Sequence, residues 1–426
     1  MRARSTPTLR APRPRSGRHG FTLVELLVAL TGGLFVSIVV FTLARDASRF
    51  YQREGRMAST TLAALSGFER LRADIARAGF LASPNVQSDP YVCSRPGSSA
   101  PALLRTLAAV RITDGGSPDN DALEANSLDP DSILLAGAYS SADEFPVRTV
   151  FRNTDDTYTV YLQEDSGAMA RLGYAAATDP AALLTSVFAA GRAVRILDNE
   201  GRQHYGLVGS VAVGSGGADP RIVLSSTVPL VFRRDSADRY CGLKGLETGA
   251  TINVVNFIRY EIRSLSSNDN YAALYSARAG LPGEADRTEL VRSELDPSDA
   301  EGDDVLTIGE VPLEELVAEY AVDLDFEIGA VTNGPTEEPD ITHLTASDTA
   351  FASFTGTGTL PHRVRTIRVR LGVRSREADR DEPIGTLPGV APGLYRFRIG
   401  ESNPDYARVR TLSADVLLMN QAGVTW

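Results

Sequence analysis

Three residues in the stretch RSGRHGFTLVELLVAL (residues 15–30) are placed to do chemistry on the chain itself: Gly20, Phe21 and Glu25. A cut between Gly20 and Phe21 would leave an α-amino group at the start of an apolar helix, one turn from the Glu25 carboxylate. That amine could pair with its own Glu25 or with the Glu25 of an adjacent helix in a staggered bundle. An acid at the centre of a membrane helix costs about 2.5 to 3.5 kcal/mol, so Glu25 needs such a partner or an interfacial position. The carboxylate then becomes an assembly device.

Other reactive residues are sparse. Cys93 and Cys241 are the only cysteines, without metal-ligand spacing around them. One disulfide in an oxidising compartment is the economical expectation, two free thiols the alternative; closing so long a loop contributes about 4 to 5 kcal/mol in the chain-entropy model. The histidines are His19, His204, His343 and His362, and none stands in H-E-x-x-H. Neither G-x-S-x-G nor a phosphate-binding G-x-x-x-x-G-K-[ST] occurs, so no enzyme is expected, although a triad of distant residues stays open. The acidic stretches 114–124 and 296–304 offer oxygen ligands for calcium but lack the EF-hand order; solvated loops, with no cofactor or bound metal, are the expectation.

Arg363, Arg365, Arg368, Arg370 and Arg374 raise the question of nucleic acid. Parity answers it: Ile367, Val369, Leu371 and Val373 share one strand face, leaving Arg368, Arg370 and Arg374 on a solvated face where the acidic loops can pair with them. A net charge of −11 also argues against a general nucleic-acid surface.

The elements that position these residues begin with a leader, residues 1–20, holding six arginines and no acid; without it the net charge falls to −17. Residues 21–44 carry Glu25 as their sole charge. At 1.5 Å per residue they reach about 36 Å, enough to cross a bilayer, and exceed the apolar core of a cleavable secretory signal. Charge before this run places the N-terminus in the cytoplasm and the rest outside. Leu62, Leu65, Phe68, Leu71, Ile75 and Ala78 then keep helical spacing, so residues 45–79 continue the helix to a cap at Gly79, with Gly32 and Gly33 as a flexible point.

From residue 80 to 426 the period becomes two. Half-buried strands are expected in 251–263 and 320–328, others in 105–112, 132–138, 147–152, 158–163, 191–198, 221–227, 365–374 and 409–418. PLEELVAE, with Pro312 in its first turn, reads as a helix, and the stretches 114–131, 264–271, 296–304 and 332–349 as loops or insertions. The expected fold class is α+β: a long N-terminal helix packed on an antiparallel β-rich head, possible as two sheets with large loops.

The basic leader, Gly20, Phe21, Thr22, Leu23 and Glu25 ahead of an apolar helix resemble the class III signal of type IV pilins and pseudopilins. That resemblance implies cleavage after Gly20 by a prepilin peptidase, N-methylation of Phe21, and Glu25 guiding docking into a filament. Many major pilins have a helix-weakening proline where this chain has Thr42, a departure that leans towards a minor subunit. LRADIARAGF, LEELVAEYAVDLDF, RVRTIRVRLGVRS and RVRTLSADVLLMNQ, in that order, resemble the PilW-like minor pilins, relatives of J-type pseudopilins. The implied protein sits in the inner membrane with a periplasmic head, engages the assembly platform, other minor pilins and the major pilin, and ends at the pilus tip, where the resemblance implies a complex that primes assembly and carries a PilY-class adhesin. Motility, adhesion and DNA uptake are left undivided. A J-type pseudopilin of type II secretion, or a membrane-anchored periplasmic binding protein or enzyme, are the alternatives.

Overall fold

The computed structural model describes residues 21–236, 240–276, 287–334, 340–376, 396–399 and 405–426, with single positions 280, 284, 338 and 378. An unbroken helix, α1 (Leu23–Arg77), opens the chain. Two units meet within it, Met1–Met57 and Ala58–Trp426.

In the first unit the helix is long and apolar enough to cross a membrane by length and composition: Leu23–Ser48 spans 26 residues with mean hydropathy 2.5 and none of it buried. Its hydroxyls are satisfied internally, Thr31 donating to Leu27 O at 3.0 Å, Ser37 to Gly33 O at 2.8 Å and Thr42 to Val39 O at 2.9 Å. Backbone carbonyls inside the helix are the partners such hydroxyls need in hydrocarbon. Gly32 and Gly33 lie inside the helix without breaking it.

In the second unit the helix docks through Ala64, Gly67, Phe68, Leu71, Asp74, Ile75 and Ala78, all buried. The spacing of three and four is as expected, but Leu62 and Leu65 are exposed, at 68% and 43%. Small residues replace them because the backbone of another element comes close: a Cβ on Gly67 would stand 2.5 Å from Val317 O. Gly79, at φ +75°, ends the run and donates its N–H to Ala136 O at 2.8 Å. A left-handed glycine there turns the chain onto the sheet.

Seventeen strands follow among the described residues, each pairing antiparallel. They are β1 (Val110–Thr113), β2 (Ser132–Gly137), β3 (Phe145–Arg152), β4 (Tyr158–Leu162), β5 (Ala193–Leu197), β6 (Gln203–Ala212), β7 (Arg221–Leu224), β8 (Thr251–Arg263) and β9 (Glu289–Leu295). Then come β10 (Thr307–Ile308), β11 (Val311–Pro312), β12 (Glu314–Glu319), β13 (Ala321–Val331), β14 (Ile341–Leu344), β15 (Val364–Arg374), β16 (Arg396–Ile399) and β17 (Asp405–Leu417).

The long strand β8 belongs to two structures. Its first residues pair with β3 on one side and β5 on the other, closing a ring β8-β3-β4-β7-β6-β5 around Phe145, Val160, Phe188 and Ile222. Its later residues pair with β2 and β9, in the order β1-β2-β8-β9-β12. Ile258, Tyr260 and Ile262 face the docked helix residues in the main core, whereas Val255 and Phe257 enter a third cluster with Leu104 and Tyr205. Only Thr251, Arg259 and Arg263 escape full burial, so this strand is covered on both faces and not half-buried as expected. A separate five-stranded sheet, β14-β13-β15-β17-β16, supplies Leu324, Phe326, Ile367 and Val369 to the main core.

Several expectations change with this topology. PLEELVAE is extended: Pro312 ends β11, and β12 pairs with β9, Glu315 opposite Arg292. Leu313, Leu316 and Val317 imitate a helical stripe, yet the ladder to β9 satisfies the backbone instead. The 105–112 strand shrinks to β1 behind a helical turn at Ala102–Arg105, and β14 lies within 332–349. A short helix, Asp121–Glu124, capped by Asn120, interrupts 114–131. Strands β6, β9, β10, β11 and β16 also lie outside the expected strands.

Candidate processing and assembly site

Gly20 and His19 lie outside the described residues, and Phe21, the other side of the expected scissile bond, is 88% exposed. Thr22 precedes the first turn of α1, whose amides have no carbonyls behind them. Glu25 answers this need: its Oε2 accepts from Thr22 N and Thr22 Oγ1, both at 2.9 Å, while Thr22 Oγ1 accepts from Glu25 N at 3.2 Å. This reciprocal pair is a capping box, and an acid here also faces the positive end of the helix dipole. The T-x-x-E spacing could have revealed Thr22 from the sequence. Among the described residues no hydrogen bond reaches Glu25 Oε1, so half of the carboxylate stays open to another partner.

A second acid on the same helix went unread. Asp74 is 4% exposed; its Oδ2 accepts from Tyr260 OH and Arg292 Nε, each at 2.8 Å. Tyr139 OH donates to Asp74 O at 2.8 Å, and Arg77 lies over the Tyr139 ring while donating to Ala138 O. An acid inside an apolar stripe, spaced for the buried face, was the available signal. Burial raises the pKa of Tyr260 and Tyr139 with the Asp74 charge adding to it, which keeps both hydroxyls as donors.

Cys93 and Cys241 are joined, 148 residues apart, and tie the segment after α1 to the loop leading into β8. His204 is buried, its Nε2 3.3 Å from Asp198 Oδ2, and His343 meets Glu327 at 3.2 Å on the surface. His362 stacks on Trp426 with Nδ1 3.1 Å from Asn85 Nδ2, and burial holds its pKa down at about 4. The three do not converge.

The arginines of β15 find partners on neighbouring strands, not in the acidic loops. Arg368 pairs with Asp415 at 2.8 Å and Glu327 at 3.3 Å; Arg370 pairs with Asp323 at 3.0 Å and Asp325 at 3.2 Å. Arg374 departs from the solvated face altogether: it is 1% exposed, lies over the Tyr320 and Phe397 rings, and burial lowers its pKa to about 10. Arg365 donates to His362 O and Val424 O, and Arg363 to Asn333 O.

Among the described residues no group of three or more His, Cys, Asp or Glu could hold a metal ion. Asp131, at the end of the first acidic loop, instead accepts from Gly115 N and Phe326 N, and burial pushes its pKa up to about 7.

Residues 15–31 match the prokaryotic N-terminal methylation motif. No curated protein and no solved structure matches the chain. The motif, continuous with an apolar helix, supports a type IV pilin or pseudopilin; it implies processing by prepilin peptidase and membrane assembly with other pilins, and is consistent with an inner-membrane anchor.

Proposed function

We propose that the protein is a minor pilin of a type IV pilus, of the PilW kind, cleaved between Gly20 and Phe21, N-methylated on Phe21 and placed at the filament tip. There, with other minor pilins, it would prime assembly of the major pilin and present a large adhesin. The observation that carries this reading is the methylation motif running into an apolar stretch, residues 21–44, whose one acid, Glu25, has an oxygen that no described hydrogen bond reaches. A head of this size supports a terminal position, because a tip subunit need not tile a thin fibre. No catalytic role, cofactor or nucleic-acid ligand belongs to this reading.

The second reading, a pseudopilin capping a secretion filament, shares the motif. Deleting the gene separates them: loss of surface pili with normal enzyme secretion supports the first, and the reverse supports the second. Normal pili and normal secretion would sink both and favour a membrane-anchored binding protein.

A further inference from the structure

The closed strand ring carries a cleft unrelated to the helix. Between the end of β3 and the disulfide-tied segment before β8 lies a cavity of about 600 Å³. Its walls part because the ladder stops: Val150 N donates to Gly245 O at 2.8 Å and Thr149 bridges Leu246, but no described bond links Phe151 or Arg152 to Lys244 or Leu243. On the far wall Phe232 bridges Leu243. Volume and shape fall in the range of small-ligand and peptide pockets.

The lining is unusual for so acidic a chain. Arg152, Arg233, Arg234 and Lys244 line it, with no acid among the described lining residues. At the rim Phe151 is 55% and Leu246 76% exposed. Arg233 and Lys244 share Glu200, whose carboxyl their hydrogen bonds hold down at about 2, so these two are committed. Among the described residues Arg152 and Arg234 form ion pairs with the exposed Asp156 and Asp235, and Arg234 also lies over the Phe232 ring. Arg233 Nε is shielded from water with no hydrogen-bond partner among the described residues, leaving one donor of this wall unanswered.

We infer that this cleft docks an extended, acidic segment of a partner protein, with carboxylates against Arg152 and Arg234 and an aromatic or leucine side chain against Phe151 and Leu246. Charge complementarity argues for the carboxylates, since guanidinium forks bind them with paired hydrogen bonds. The exposed apolar rim argues for a peptide, as Arg beside aromatic surface is the composition that anchors protein interfaces. Asp156 and Asp235 already pair with Arg152 and Arg234, so a docking carboxylate must displace these exposed partners. The inference goes beyond the filament reading and does not require it.

The test uses the full chain in lipid nanodiscs and fluorescent, end-capped peptides of sequence Gly-Glu-Phe-Glu-Leu-Gly, with Gln replacing Glu as control. Saturable binding is expected, at least about tenfold weaker for the Gln peptide. It should weaken about as much in a chain carrying Arg152→Glu and Arg234→Glu, and also in Leu246→Ser, whose side chain is too exposed for the fold to depend on it. Equal binding of both peptides, binding unchanged in those variants, or no saturation below about 1 mM would overturn the proposal. Duplex DNA binding more tightly than the peptide, and lost in the charge-reversed chain, would also overturn it.

Discussion

The two halves of α1 each carry one conspicuous acid, and the acids are treated in opposite ways. Glu25, in the exposed apolar half, has among the described residues a local partner alone, the Thr22 hydroxyl and amide of its own helix end. Asp74, in the half docked on the head, is held by Tyr260 and Arg292. Glu25 bonds within its own helix end, whereas Asp74, 4% exposed, is bonded by β8 and β9. An acid that contributes nothing to its own tertiary structure is available to another molecule, and this difference separates an assembly group from a structural one.

The comparison breaks most visibly under matched substitutions. Asp74→Ala removes the closest counter-charge of the half-buried Arg292 and the acceptor of the buried Tyr260 hydroxyl, and should destabilise the head by about 2–3 kcal/mol, read by denaturant unfolding. Glu25→Ala should leave that transition in place while abolishing recovery of the protein in sheared filaments. If the two variants behaved alike in both assays, the division of labour would be wrong.

A smaller effect comes from pH, through the buried His362, which stacks on Trp426. Because the folded protein keeps His362 neutral, with its pKa at about 4, the unfolded chain binds the proton first as pH falls from about 6.5. Stability is therefore full above pH 6.5 and declines towards pH 4, by up to about 3 kcal/mol through this group. His362→Gln should flatten that slope; the same slope in the variant would remove His362 as its source. Asp131 works in the other direction, binding a proton in the folded state up to pH about 7.

The smallest contrast uses glycines. A Cβ on Gly67 would press on Val317 O and Ala318, whereas Gly55 has open space around it. Overpacking costs about 1–3 kcal/mol and helix propensity returns about 1, so Gly67→Ala should lower the melting temperature and Gly55→Ala should not.

Legibility in the sequence followed how local each cause is. The capping box, the membrane-length run and the alternating strands depend on neighbours within a few residues, and β2, β4, β5 and β13 fall close to where alternation puts them. The helix read at PLEELVAE failed because β9 decides the conformation of β12 from outside the local pattern. Leu62 and Leu65 misled for a similar reason: which residues of a helical stripe are covered depends on how near β12 comes. Strand β8 shows the same limit, its alternation concealing two buried faces that reach three different core clusters. At the site, Glu25 stood out as a lone acid in an apolar run. Asp74 did not, since its neighbours Arg70, Arg72 and Arg77 make an acid there look like ordinary surface charge.

The most direct test of the central claim is the N-terminal mass of the protein isolated from membranes of cells with and without their prepilin peptidase. An N-methylated Phe21 start that disappears with the peptidase is the predicted result, leaving the Glu25 carboxylate beside a new terminal amine. A start at Met1 in both strains, or cleavage at another bond, would contradict the account.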